Sequence, residues 1–315
     1  MLSLYRSTAG VAASIALLTA CAGQGGGSAI PLVPPAKSGA ARASALLYVS
    51  DTVTGDVYVF SYPKGKLVQT LTGFTDPAGE CVDAAGNVFI ANTGSSNVLE
   101  YAHGGSSPIA TLNDAGYFPV GCAIDPVSGN LAVSNFPESS SANGDVVIYK
   151  HAKGRPTGHY TSSTMNQMLL CGYDGSGNLF VDGLGQASAF EFAELPKGGS
   201  KLVSIALNQA IQSAGGVQWD GSHIAVGDQS TNTIYQFAIS GKRGTLAGST
   251  ALGGASVVFQ FWIDGSRVVG PDSGLSDVGI WRYPGGGSAL KTITGLYAPL
   301  GATVSRGMDS SRRQS

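Results

Sequence analysis

Residues 77–92 of the 315-residue chain read PAGECVDAAGNVFIAN, and this stretch decides the fold because its pattern returns along the chain. Residues 119–135 repeat it as PVGCAIDPVSGNLAVSN. In both copies a Pro-x-Gly segment leads into apolar residues and an aspartate, and a second apolar run follows a Gly-Asn turn. Short β-branched runs separated by Gly, Asn and Asp predict paired β-strands.

The same unit recurs about every 40–50 residues over the rest of the chain. Weaker copies of the first segment end at Asp174, Asp220 and Asp264, and residues 299–305 (PLGATVS) form the sixth copy. Third segments place an aromatic residue in one register, and a less regular fourth strand follows glycine-rich turns. Four strands per period is typical of a β-propeller blade. Six copies therefore predict an all-β, six-bladed β-propeller with four-stranded blades.

The order of the segments predicts how the ring closes. The chain enters at the second strand of a blade, near Leu46, and leaves after an innermost-type strand that ends at Ser305. We expect this C-terminal strand to complete the first blade, because closure removes the exposed sheet edges that promote aggregation.

The combined pattern, P-x-G-[apolar]-x-[apolar]-D followed by G-N-[apolar]-x-[apolar]-A-[ND], resembles NHL-repeat propellers. The resemblance is clearest over residues 46–135 and weakens in the third to fifth repeats. It implies a fold and carries no particular activity, since one propeller architecture hosts many functions.

The N-terminal residues predict an exported protein. Arg6 precedes an apolar run, Ala9 to Leu18, that is too short to span a bilayer as a helix. The run ends in Leu18-Thr19-Ala20-Cys21, which resembles a bacterial lipobox and implies a lipid anchor on Cys21. Ala22 follows where an aspartate would retain an inner-membrane lipoprotein, so the resemblance implies the outer membrane. An ordinary signal peptide that happens to end beside Cys21 is the alternative.

These features divide the chain into four predicted parts. We expect a lipoprotein signal peptide at 1–20, a lipidated cysteine with a flexible Gly/Pro/Ala tether at 21–44, the propeller at 45–305 and a disordered tail at 306–315. The predicted partner at the N-terminus is thus the membrane of the bacterial cell envelope, contacted through lipid. The formal charge of −2 and the absence of a basic stripe argue against nucleic acid as a partner.

A candidate ligand face follows from the ends of the predicted second strands. Propellers commonly bind ligands on the face that carries the second-to-third and fourth-to-first strand loops. Polar residues end the six second strands, and aromatic residues are expected in loops of the same face. The candidates are Asp51, Asn92, Asn135, Asp182, Asp228, Asp272, Tyr117, Phe118, Phe136 and Tyr297. The alternative is that the polar residues form turns and the aromatic residues fill gaps between blades.

Other residues that could carry chemistry have mostly structural interpretations. The repeated aspartates at the ends of the first segments, from Asp83 to Asp264, are expected to form turns. Glu80 is the one carboxylate inside an innermost strand, and it is a candidate channel base or metal ligand. His159 is isolated in the sequence, so no metal-ligating histidine pair is expected. Beyond Cys21, buried free thiols are expected, although Cys122 and Cys171 share one repeat position and could pair.

Two functions remain open. We expect a non-catalytic binding or scaffold module that presents one face to a protein, peptide or glycan. Long irregular insertions are expected on that face at residues 136–144 and 157–168. The alternative is a metal-dependent hydrolase, lactonase or lyase with its site at the channel, near Glu80. No cofactor is indicated, and a divalent cation in the channel is left open.

Overall fold

The computed structural model describes residues 44–114, 116–137 and 142–307. The predicted signal peptide, Cys21 and nearly all of the predicted tether and tail lie outside these residues. Among the described residues, no helix is long and apolar enough to cross a membrane. The helical segments are three single 3₁₀ turns, Thr93–Ser95, Lys150–Ala152 and Gln186–Ser188.

The strands of the first three blades follow one another along the chain. Blade 1 contains β1 (Leu46–Asp51), β2 (Asp56–Ser61) and β3 (Lys66–Leu71). Blade 2 contains β4 (Pro77–Val82), β5 (Val88–Asn92), β6 (Asn97–Tyr101) and β7 (Pro108–Asn113). Blade 3 contains β8 (Tyr117–Ile124), β9 (Leu131–Pro137), β10 (Val146–Tyr149) and β11 (Pro156–Tyr160).

Blades 4 to 6 complete the ring. Blade 4 contains β12 (Met165–Tyr173), β13 (Leu179–Gly185), β14 (Phe190–Leu195) and β15 (Val203–Ser204), and the short β16 (Ala206–Leu207) follows. Blade 5 contains β17 (Ala214–Trp219), β18 (Ile224–Asp228), β19 (Thr233–Ser240) and β20 (Arg243–Gly253). Blade 6 contains β21 (Trp262–Asp264), β22 (Arg267–Asp272), β23 (Asp277–Arg282) and β24 (Gly286–Ile293).

The last strand, β25 (Pro299–Ser305), pairs antiparallel with β1 and becomes the innermost strand of blade 1. The prediction of a six-bladed propeller closed by its C-terminal strand is confirmed. The junction is tied by side chains as well as by the strand ladder. Ser50 donates to the carbonyl of Ala78 in blade 2 and accepts a hydrogen bond from the Gly301 amide. Ser305 Oγ bonds His103 and the carbonyl of Gly86, so β25 is fixed at its end too.

The hydrophobic core is divided among the seams between blades. Six apolar clusters each join neighbouring blades, from the seam of blades 1 and 2 round to that of blades 6 and 1. The second strands are therefore covered on both faces, as the fully buried β1 and β5 show. The outer strand β3 is mostly exposed. This difference explains why inner strands read as continuous apolar runs and outer strands do not.

The glycine of the Pro-x-Gly motif lets innermost strands approach each other closely. A Cβ on Gly79 would lie 2.6 Å from the Val120 carbonyl oxygen of blade 3, and one on Gly121 would lie 2.8 Å from the Leu169 carbonyl oxygen of blade 4. Real Cβ atoms do not come this near. The motif glycine therefore faces the following blade, and the residue beside it in the strand faces the preceding blade.

This alternation determines the disulfide and corrects the expectation of free thiols. Cys81 lies two residues after Gly79 in the strand and therefore faces blade 3, whereas Cys122 lies beside Gly121 and faces blade 2. The two form a disulfide with Cα atoms 5.6 Å apart. Cys171 also faces backward, because it shares the repeat position of Cys122, and these two cannot meet. Cys171 is a buried free thiol whose pKa is raised to about 12 by burial.

Of the two predicted insertions, the one at residues 157–168 is corrected. Most of residues 157–168 belongs to β11 and β12 and to the short connection between them, since residues 161–164 alone separate these strands. In the other region, predicted at residues 136–144, β9 continues to Pro137 and a long connection, residues 138–145, leads to β10; residues 138–141 of it lie outside the described part of the chain. Blade 3 has longer inner strands than its neighbour, blade 2.

Candidate functional site

Three residues of the predicted ligand face hold main-chain groups. The Asp272 carboxylate accepts hydrogen bonds from four amides, two in its own turn and two in the connection that precedes β21. Asp51 accepts four in the same arrangement, and Asp228 accepts three. All three are buried. This geometry favours the turn-forming interpretation, because it ties each second strand to the entry of its own blade's innermost strand.

Asn92 and Asp182 keep part of this arrangement. Asn92 accepts from the Thr75 amide and donates to Asn97, and Asp182 accepts from the Leu170 amide. The second carboxylate oxygen of Asp182 is buried and has no side-chain or main-chain donor among the described residues. Burial raises the pKa of Asp182 to about 7, although the hydrogen bond from the Leu170 amide lowers it.

Blade 3 departs from this pattern: a network of polar side chains takes the place of a carboxylate that accepts main-chain amides. Asn135, near the end of β9, donates through Nδ2 to Asp145 Oδ1 at 2.8 Å, directly before β10. Asp145 Oδ2 lies 2.8 Å from Nδ1 of His159 in β11. The Asn135 side chain also bonds the carboxyl of Asp114, which follows β7 of blade 2. Asp114, Asn135, Asp145 and His159 are called the blade 3 cluster below.

The cluster runs from the protein interior to solvent. The Asp145 side chain is 1% exposed, whereas that of His159 is 52% exposed. Asp114 is also buried, and its pKa is raised to about 6: burial and, to a smaller extent, the charge of Asp145 raise the pKa, while Asn135 and His159 lower it. Because Asp145 bonds Nδ1, the other ring nitrogen, Nε2, stays available for contacts with a ligand. Such a ring can bind a ligand or transfer a proton.

The predicted aromatic residues separate into two places. Tyr117 and Phe118 begin β8, and the register pairs Phe118 with Phe136 in β9, so all three lie in blade 3 and in strands instead of loops. The Tyr117 ring is 6.2 Å from the His159 ring. The charge of Asp145, followed by burial, raises the pKa of Tyr117. Tyr297 is 65% exposed and lies between blades 6 and 1.

The channel region offers less to a ligand. Gln260 crosses from blade 6 and bonds both the amide and the carbonyl of Glu80, at 3.0 and 2.8 Å. The Glu80 side chain is fully buried toward blade 1, and burial raises its pKa well above the usual range. An apolar cluster joins innermost-strand residues of blades 3, 4 and 5 to the segment before β21; it is composed of Val120, Leu169, Leu170, Ala214 and Phe259. No set of three His, Cys, Asp or Glu side chains arranged to hold a metal occurs in the described ranges.

The repeated first-segment aspartates lie on the opposite side of the blades and mostly form turns. Asp83, Asp125, Asp174 and Asp220 each accept amides of the hairpin that follows. Asp264 instead forms an ion pair with Arg306 at 2.8 Å. Four of the five thus have the structural role that the sequence predicts.

Sequence reasoning missed three of the four cluster residues. His159 stood alone in the sequence, but the β10–β11 ladder pairs it with Val147 and carries it to Asp145. Asp114 and Asp145 resemble ordinary loop residues beside strands. The available signal was the combination of Asn135, where most repeats have aspartate, with the longer connection after it.

Comparison with known proteins supports the fold alone. No protein-family model matches the chain, and no curated protein matches it. Among solved structures, a chain of the crystallised nidogen/laminin complex is similar, with a TM-score of 0.68 and 12% identity, over 84% of this chain and 100% of that one.

Two bacterial structures are also similar. A protein of unknown function from Bacteroides caccae has a TM-score of 0.62 and 12% identity, over 84% of this chain and 99% of its own. A functionally unknown protein from Desulfotomaculum acetoxidans has a TM-score of 0.58 and 10% identity, with the same coverage. These likenesses agree with the β-propeller architecture.

Proposed function

We propose that this protein is an exported, lipid-anchored propeller of the NHL type that acts as a binding module for a protein, peptide or glycan. The binding site is the blade 3 cluster together with Tyr117. One observation carries the proposal: a half-exposed imidazole is held by buried polar residues, at the position where blades 1, 5 and 6 use the equivalent aspartate to hold the main chain.

The predicted location draws support from two features. The disulfide between Cys81 and Cys122 is typical of proteins in oxidising compartments, which include the bacterial envelope. The lipobox-like segment supplies the membrane partner. Changing Cys21 to Ser should abolish labelling with radioactive palmitate and release the protein from the membrane fraction. Labelling that persists would contradict the anchor and leave the binding proposal unaffected.

The binding proposal is tested by screening the protein against peptide and glycan arrays. Ligands of the proposed site should be lost in both Tyr117→Ala and His159→Ala. They should be retained in Val53→Ala, which truncates a 70% exposed side chain in blade 1. Thermal unfolding of each variant shows whether it is folded. Ligands that bind all four proteins equally would place recognition elsewhere.

The Asp145–His159 pair also favours a second candidate, a hydrolase or lyase that works at blade 3. A buried carboxylate that orients Nδ1 leaves Nε2 as a general base, and this is a common arrangement in acid–base catalysis. A panel of esters, lactones and uronide-containing glycans tests it. Turnover that falls at least 100-fold in His159→Asn, with folding unchanged, would support the enzyme. Turnover that is unchanged would exclude His159 as its base.

A further inference from the structure

The blade 3 cluster has more hydrogen-bond acceptors than donors. Its donors are used, because Asn135 Nδ2 bonds the two carboxyls and His159 Nδ1 bonds Asp145. Two acceptors, Asp114 Oδ2 and Asn135 Oδ1, are buried without a hydrogen-bond partner among the described residues. Both side chains are at least nine-tenths buried. Leaving such acceptors unsatisfied is costly, so a ligand for this site should bring donors.

The charge of the cluster points in the same direction. Asp114 and Asp145 place two carboxylates beside one imidazole, and within the described ranges neither forms an ion pair with lysine or arginine. A ligand that carried an anion would meet repulsion, whereas a cation would compensate the buried charge. Tyr117 adds an aromatic face next to His159, and such faces attract cations.

We infer that the blade 3 cluster binds a ligand through an ammonium or guanidinium group, which donates to Asp114 and Asn135 and lies against Tyr117. This inference rests on the proposed binding function and names the chemistry of its ligand. Both groups provide several N–H donors and a positive charge, which the two free acceptors and two carboxylates require. His159, the most exposed member of the cluster, lies at its entrance.

Two other occupants fit less well. A metal ion fits less well, because Nδ1 of His159 already bonds Asp145 and no three His, Cys, Asp or Glu side chains of the described residues are arranged to hold a metal. A neutral sugar could donate through its hydroxyls but would leave the negative charge uncompensated. Both occupants are included as outcomes of the test.

The experiment measures binding of Nα-acetyl-arginine ethyl ester (the arginine ester) to the protein by calorimetry at pH 7.5, with Nα-acetyl-citrulline ethyl ester as the neutral isostere. We expect the arginine ester to bind at least ten-fold more tightly. Asp114→Asn, which keeps the shape of the side chain and removes its charge, should weaken binding about ten-fold. Asp76→Asn, an exposed change on the same face, should leave the affinity unchanged.

A second measurement locates the ligand. The chain contains four histidines, so their ring signals can be resolved by NMR. Arginine ester should shift the signals of His159 and leave those of His151 and His223 unchanged. This readout also applies to Tyr117→Ala, in which the shift should need a higher ester concentration. Thermal unfolding confirms that each variant is folded.

Several outcomes would overturn the inference. Equal binding of the two esters would remove the role of charge, and displacement of the arginine ester by Ca²⁺ or Mg²⁺ would indicate a metal site. An array ligand that needs His159 but is indifferent to Asp114→Asn would refute the cation while preserving the binding module. If neither esters nor array ligands depend on His159, both proposals fail.

Discussion

A single carboxylate on this face can satisfy several peptide groups. Asp272 receives four amides, and Asp51 receives four from segments that lie at opposite ends of the chain. Charge-assisted hydrogen bonds of this kind are stronger than neutral ones. The residue thus joins two connections that the strand ladder alone leaves separate.

The Asp272→Ala variant should show how much the hydrogen bonds of this carboxylate contribute to stability. Its loss leaves four amides without their acceptor, and we expect the free energy of unfolding to fall by about 3–5 kcal/mol. Asn92→Ala removes the acceptor of one amide and should cost about 1–2 kcal/mol. Urea unfolding at one pH compares the two. Equal losses would mean that the number of amides held does not matter.

At the scale of the element, the direction of each innermost strand explains the seams between blades. Along an innermost strand, side chains at Gly79 and every second residue from it face the following blade, and those between them face the preceding blade. A disulfide between adjacent blades therefore needs one cysteine that faces the following blade and one that faces the preceding blade. Cys81 and Cys122 meet this condition. The outer strands are joined differently: β20 of blade 5 makes short parallel bridges to β16, in the connection between blades 4 and 5, and to β24 of blade 6.

Removing the disulfide should destabilise the seam of blades 2 and 3. It links residues 41 positions apart, and closing a loop of that size contributes about 4 kcal/mol in the chain-entropy account. Cys122→Ala should therefore lower the unfolding free energy by about 2–5 kcal/mol under oxidising conditions. Cys171→Ala, which changes a buried free thiol, is the control and should cost less.

Reduction offers a check on this prediction. A reductant should destabilise the unaltered protein and the Cys171→Ala variant, and should have no further effect on Cys122→Ala. If all three respond alike, the stability does not come from the disulfide.

The sequence predicts the repeat, the number of blades and the closing strand, because each depends on local patterns and their order. The disulfide escaped prediction because repeat position alone suggests Cys122 and Cys171, whereas side-chain direction excludes that pair. The blade 3 cluster escaped for a related reason. Asp114, Asp145 and His159 come from three connections or strands, and only the register of β10 and β11 brings the last two together.

At the scale of the whole molecule, buried carboxyl groups set the response to pH. Burial raises the pKa of Asp114 to about 6 and that of Asp182 to about 7, and it raises that of Glu80 well above its usual range. A folded protein that holds protons more tightly than the unfolded chain loses stability as they dissociate. These three groups therefore favour the fold at mildly acidic pH.

We expect the free energy of unfolding to fall by about 2–4 kcal/mol between pH 5 and pH 8. The sign follows because the folded pKa values lie above the unfolded values near 4, so stability is lost as the pH rises through 6 and 7. Urea unfolding across this range measures the effect. Asp182→Asn should flatten the profile near pH 7, and a stability that instead rises with pH would contradict this account.

The junction of β25 with β1 has a consequence for how the protein is made. Ser50 and Gly301, which bond across it, are 251 residues apart, so the first blade to be synthesised is the last to be finished. Until residues 299–305 arrive, β1 carries an open edge on a strand that is wholly buried in the finished protein. Such distant pairing is slow to form and exposes the growing chain to association with other chains. Ring completion is therefore a late step, and a chain that stops short of Ser305 would remain an unsealed, aggregation-prone product.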